Sequence, residues 1–184
     1  LALGREKEAL EALKIGSYFL TAGEGAGRSP AEVQRFLAIQ LFQRGRFRDA
    51  VFHATRLLRA EGKDPVLHAL VAESYRALGE LEKARNHYQR ALEGDREAFA
   101  PRYGLCAVLL ELWRYDNLAA EARRVRRREA ADPTARYFES LALSRVAPAD
   151  PGTLAALQDQ VRARGADPVV MTALGESYES AGLA

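Results

Sequence analysis

One self-similarity limits what this chain can become. Gly45 and Gly79 stand 34 positions apart, as do Ala38 and Ala72, Leu41 and Tyr75, Ala50 and Ala84, and Leu58 and Leu92. The same step carries Ala72 to Cys106 and then to Ser140, and a step of 35 reaches Gly175. A small residue thus recurs at one phase, each time followed three positions later by a large apolar one: Leu41, Tyr75, Leu109, Leu143, Tyr178. A helix hairpin has this length and cannot bury both of its apolar stripes alone. The small residue lets the partner backbone come close, and the large one fills the space beside it. Hairpins stacked in series then share a continuous core.

The local pattern agrees. In 31–44, 47–60, 66–78 and 82–93 the apolar residues recur at three and four, the helical period, and Pro and Gly fall between these segments. Strand-like alternation is absent from the pattern, so the fold class is all-α. Asp132-Pro133 and Asp167-Pro168 read as cap-plus-first-turn helix starts.

With these residues in place, the sequence resembles the tetratricopeptide repeat (TPR) family, whose 34-residue helix–turn–helix unit carries a Leu-Gly-x-x-Tyr signature and an Ala then Phe/Tyr on the second helix. The clearest matches are Ala72, Tyr75, Gly79, Ala84, Tyr88 and Ala91, and later Leu174, Gly175, Tyr178 and Gly182. The resemblance implies a right-handed superhelical α-solenoid of stacked antiparallel helix hairpins. The expected layout is a partial repeat (a second helix over Gly4–Phe19) and a Gly-rich linker in 1–30, then units 31–64, 65–98, 99–132, a degenerate unit 133–167, and the first helix of a truncated unit in 168–184. Three departures stand out. Trp113 occupies a turn-glycine position, and Glu139 a core-leucine position. Gln34, His68, Arg102 and Arg136 replace the family's early tryptophan.

The resemblance also implies that first helices line a concave groove. The helical period places Arg35, Ile39, Phe42, Arg76, Tyr103, Leu110, Tyr137, Leu141 and Glu176 opposite the core stripe, as a floor for a peptide or partner protein. Tyr103 and Tyr137, 34 apart, fit equally as aromatic anchors or as packing between adjacent first helices. The basic and Asn clamp of chaperone-tail binders is not matched: Ile39 and Glu73 stand at those places.

Composition narrows the function further. Lys+Arg number 27 against 25 Asp+Glu, a net charge of +2, which disfavours general nucleic-acid coating. The one cysteine, Cys106, excludes an internal disulfide and a Cys-based zinc cage, and its core position suits a small hydrophobe. No apolar run approaches the roughly 18–20 residues of a membrane span. Gly23–Gly27 lacks the Gly-Lys-Ser/Thr and preceding strand of a phosphate cradle. His53 and His87, at equivalent places on neighbouring second helices, have too few companions for a metal site and read as exposed or half-packed. Arg123, Arg124, Arg126, Arg127 and Arg128 form a cluster that suits an anionic partner or, as the plainer reading, a solvated face near a helix C-terminus.

The resulting expectation is a non-catalytic interaction scaffold with a protein or peptide partner, no cofactor, no metal and no small-molecule substrate. Self-association through the truncated repeat ends is allowed. The alternatives are the TPR module of a bacterial cell-envelope assembly or secretion factor, cytoplasmic or periplasmic, and the substrate-recruiting domain of a larger enzyme. Arginine and alanine richness points to a bacterial genome.

Overall fold

The structure, a computed structural model, describes residues 29–183; the second helix expected over Gly4–Phe19 and the Gly-rich stretch lie outside them. All regular structure in the described residues is α-helical: α1 (Pro30–Gln43), α2 (Phe47–Glu61), α3 (Pro65–Ala77), α4 (Leu81–Gly94), α5 (Phe99–Glu111), α6 (Tyr115–Arg126), α7 (Pro133–Val146), α8 (Pro151–Arg164) and α9 (Pro168–Ser180). The chain divides into two compact units, the first ending at Arg96 and the second beginning at Glu97.

Five helices begin with an oxygen-bearing cap followed by proline. Ser29 and Glu32 form a reciprocal capping box at α1, with Ser29 N donating to Glu32 Oε2 at 2.7 Å and Glu32 N to Ser29 Oγ at 3.3 Å. Asp64, Asp132, Asp150 and Asp167 accept from first-turn amides of α3, α7, α8 and α9. Proline directly after the cap has the backbone angle the first turn needs and no amide hydrogen to strand.

The hairpin turns repeat bond for bond. Arg46 N donates to Leu41 O, Glu80 N to Tyr75 O, Arg114 N to Leu109 O and Leu183 N to Tyr178 O, each at 2.9 Å. The residue before each donor is left-handed: Gly45 (φ 71°), Gly79 (75°), Trp113 (61°) and Gly182 (68°). Trp113 therefore holds the glycine geometry despite its side chain, and it stands 77% exposed. In the degenerate hairpin Ala147 stays at φ −142° and the chain reaches α8 through the longer turn 147–150.

In the first unit α1 packs on α2 and α3 on α4, with α3 also against α1 and α2. Its core gathers Ala38, Ala54, Leu57, Leu67 and Val71 beside Leu37, Leu41 and Ala50. A Cβ added at Gly94 would lie 2.4 Å from Pro65 Cγ, so only glycine lets the end of α4 pass the start of α3. In the second unit α6 packs on α5 and α7, and α8 on α7 and α9; Leu141, Leu157, Val170 and Ala173 form a core cluster there. The recurring small residues Ala38, Ala72, Cys106 and Ser140 are all at most 1% exposed. Gly175 is exposed, because among the described residues no helix follows to cover that face of α9.

Candidate functional site

In the first unit the wall expected from first helices is built by α1 and α3. Arg35 ion-pairs with Asp64, the α3 cap. Burial pushes the Asp64 carboxyl up, but the Leu67 amide, Arg35 and the Val66 amide outweigh it and hold it below the usual carboxylate range. Ile39 is half-buried, and Phe42 meets Phe47 edge-on at 5.6 Å. Arg76 leaves 38% of its side chain in solvent, with Glu73 at 3.7 Å. Val66, at the start of α3, is 67% exposed. This unit thus presents an open face with apolar and cationic members.

In the second unit the expected residues are more enclosed. The Tyr103 hydroxyl donates to Asp132 Oδ2 at 2.6 Å, and its ring stacks on Phe99 at 6.2 Å. Burial and the Asp132 carboxylate push the phenol up, so it stays protonated. Tyr137 lies half-buried with the Arg164 guanidinium over its ring at 4.3 Å, and it packs with Leu110 against the cluster of Leu141 and Leu157. Leu141 itself, expected on the open wall, is 3% exposed, since α8 and α9 close over it. Glu176 pairs with Arg145 at 2.5 Å. Both tyrosines therefore make the packing contacts that were one of their two readings.

The arginine cluster is largely engaged within its own unit. Arg123 Nε lies 2.9 Å from Glu139 Oε1, and Arg126 also pairs with Glu139. Arg124 reaches Glu121 at 2.5 Å. Arg128 reaches Glu97 at 2.6 Å and lies over the Phe99 ring. Arg127 alone of the five has no ion pair among the described residues. Glu139, the acid at a core-leucine position, is 7% exposed, and two guanidinium groups offset its burial.

A feature not foreseen from the sequence stands in for three of the four absent tryptophans. Gln34 Oε1 meets His53 Nδ1 at 2.6 Å, His68 Nδ1 meets His87 Nδ1 at 3.1 Å, and Arg102 meets Glu121 at 2.5 Å. In these three hairpins the partner stands 19 positions further on, so a polar pair clasps the two helices where an indole would have packed; in the fourth, Ala155 stands at that offset and Arg136 donates to Ala130 O instead. The constant offset is the signal that could have revealed it. His53 is buried rather than exposed, and His87 turns to His68 rather than to His53. Burial lowers both paired histidines; Arg90 lowers His68 further, and His68 and Arg90 bring His87 to about 4.

The Cys106 thiol is buried and pushed up to about 12, chiefly by desolvation, which leaves almost no thiolate for chemistry near neutral pH. Among the described residues no group of three or more His, Cys, Asp or Glu could hold a metal ion. No described helix is long and apolar enough to cross a membrane.

No protein-family model matches the chain, and no curated protein matches it in sequence. Solved structures do match in fold. YrrB, a TPR protein with an unusual peptide-binding site, superposes with TM-score 0.72 at 16% identity, over 83% of this chain and 78% of that one. MamA 41-end from Desulfovibrio magneticus RS-1 superposes with TM-score 0.73 at 21% identity, over 83% of this chain and 86% of that one. The fold is that of TPR proteins.

Proposed function

We propose that this chain is a non-catalytic scaffold that binds a peptide or a partner protein on its first-helix faces. The observation that carries the reading is the open face of α1 and α3: Val66 is 67% exposed, Ile39 and Phe42 are half-buried, and Arg35 and Arg76 are each 38% exposed. An apolar strip flanked by cations suits a segment with apolar anchors and acidic flanks. That YrrB, of the same fold, has a peptide-binding site supports the reading. The second unit, taken by itself, offers half-buried Tyr137 and Leu110 with the Glu176–Arg145 pair on its own first helices.

A displayed peptide library panned on the protein tests this. Enriched peptides are expected to carry apolar anchors and to lose about tenfold or more in affinity with Val66→Asp plus Ile39→Ser. Enriched peptides that bind this folded variant unchanged would remove the face from the account.

A further inference from the structure

The first unit has a second opening, on another face of α3. A cleft of about 510 Å³ is lined by Leu58, Arg59 and Lys63 from the end of α2 and its turn, His68 and Tyr75 from α3, and His87, Arg90 and Glu93 from α4. It shares no residue with the Ile39, Phe42 and Arg76 face.

Its lining is net positive. Several basic side chains of the unit have carboxylate partners, namely Arg35 with Asp64, Arg46 with Asp49, Lys83 with Glu80 and Arg85 with Glu82, while the exposed Arg44, Arg48 and Arg56 have no ion pair among the described residues. Arg59, Lys63 and Arg90 likewise have no ion pair among the described residues, and they come from separate elements to one cleft. Glu93, the one acid on the lining, ion-pairs with none of them. With neutral histidines the lining carries three positive charges and one negative, a surplus that a doubly charged ligand balances and a single carboxylate does not. Guanidinium forks suit the oxygens of such a group. The two imidazoles, 3.1 Å apart at Nδ1, stand at the cleft wall and add polar ring atoms. The space exceeds one oxyanion, and Leu58 and the Tyr75 ring supply an apolar wall for whatever carries it.

We infer that this cleft binds a phosphate monoester, with Arg59, Lys63 and Arg90 as its charge-bearing contacts. A phosphate monoester carries about −1.5 to −2 charge near neutral pH, which matches the surplus. The group could be borne by a small metabolite or by a phosphorylated side chain, and the two sources share this chemistry.

The test follows the imidazole resonances of His68 and His87 by NMR, with His53, buried against Gln34, as the internal control. Glycerol phosphate, a phosphoserine peptide and the same peptide with plain serine are titrated to about 10 mM, past the weak end of specific recognition. Saturable shifts of His68 and His87 with either phosphorylated probe, and not with the serine peptide, are expected. Tighter binding of the peptide identifies a side-chain source, and equal binding a small-molecule source. Lys63→Gln and Arg90→Gln, both at exposed positions, should each weaken binding about tenfold, and Glu93→Gln should strengthen it. Absence of saturable shifts, or shifts unaltered in a folded Lys63→Gln/Arg90→Gln protein, would overturn the site.

Discussion

Replacing Glu139 by leucine tests how a buried acid came to sit in an apolar layer. Glu139 is 7% exposed and held by Arg123 and Arg126, whose side chains are 52% and 39% exposed. Arginines this exposed make pairs worth about 0–1 kcal/mol each. A leucine fully buried at the same place contributes about 1.5–3 kcal/mol, and it removes the desolvation penalty of a carboxylate. Both guanidinium groups can swing into water when the acid is gone. Glu139→Leu is therefore expected to be neutral or to stabilise the second unit by about 1–2 kcal/mol. Glu139→Ala, which leaves space as well as lost pairs, should cost about 2 kcal/mol. For a unit of this size each kcal/mol corresponds to about 4–8 °C in Tm. The chain has one tryptophan, Trp113, in the second unit, so urea unfolding followed by its fluorescence reports that unit alone. Hydrogen exchange of α6 and α7 amides gives a second readout. A Glu139→Leu protein less stable than the parent by more than about 1 kcal/mol would refute the reasoning and make the two arginine pairs net stabilisers, beyond the exposed-pair range.

Three further outcomes follow from the geometry. Gly94→Ala should destabilise the first unit by about 1–3 kcal/mol in urea unfolding, because its Cβ would meet the rigid Pro65 ring at 2.4 Å. Trp113→Gly should stabilise the second unit by about 1 kcal/mol in thermal unfolding, since it relieves a left-handed φ of 61° on a bulky residue that is 77% exposed. The His68–His87 pair should make the first unit acid-sensitive: both groups are lowered when folded, so the unfolded chain takes up protons first and stability falls as pH drops from 6.5 toward about 4. A His87→Gln protein should show a flatter pH profile in urea titrations between pH 6.5 and about 4.

The all-α hairpin array was legible because burial acts on periodicity. Ala38, Ala72, Cys106 and Ser140 repeat in sequence and are all buried. The Asp-Pro starts were legible because capping is local, and Asp132 and Asp167 accept the amides expected of them. Trp113 keeps the turn because the surrounding hydrogen bonds determine its backbone whatever its side chain. The site was less legible, since facing is a tertiary outcome. Leu141 has the period of an outward residue, yet α8 and α9 cover it. The Arg123–Arg128 run keeps much of its side-chain surface in solvent, yet its partners Glu139 and Glu97, which come from other parts of the unit and engage three of its members, could not be read from the run itself. Partners joined across a hairpin fall outside the reach of helical period, which is why the polar pairs escaped it.

Those clasps have a consequence for how look-alike hairpins find their mates. Gln34 with His53, His68 with His87, and Arg102 with Glu121 are three chemistries at one structural address. Exchanging α6 with α2 or α4 would set Arg102 against an imidazole and part Glu121 from its guanidinium, whereas α2 and α4 both bring a histidine. A run of identical indoles would permit such shuffling, a known hazard for repeat chains. Here the Arg102–Glu121 pair marks its hairpin apart from the two whose second helix brings a histidine, so a mispaired α6 would forfeit a charged clasp.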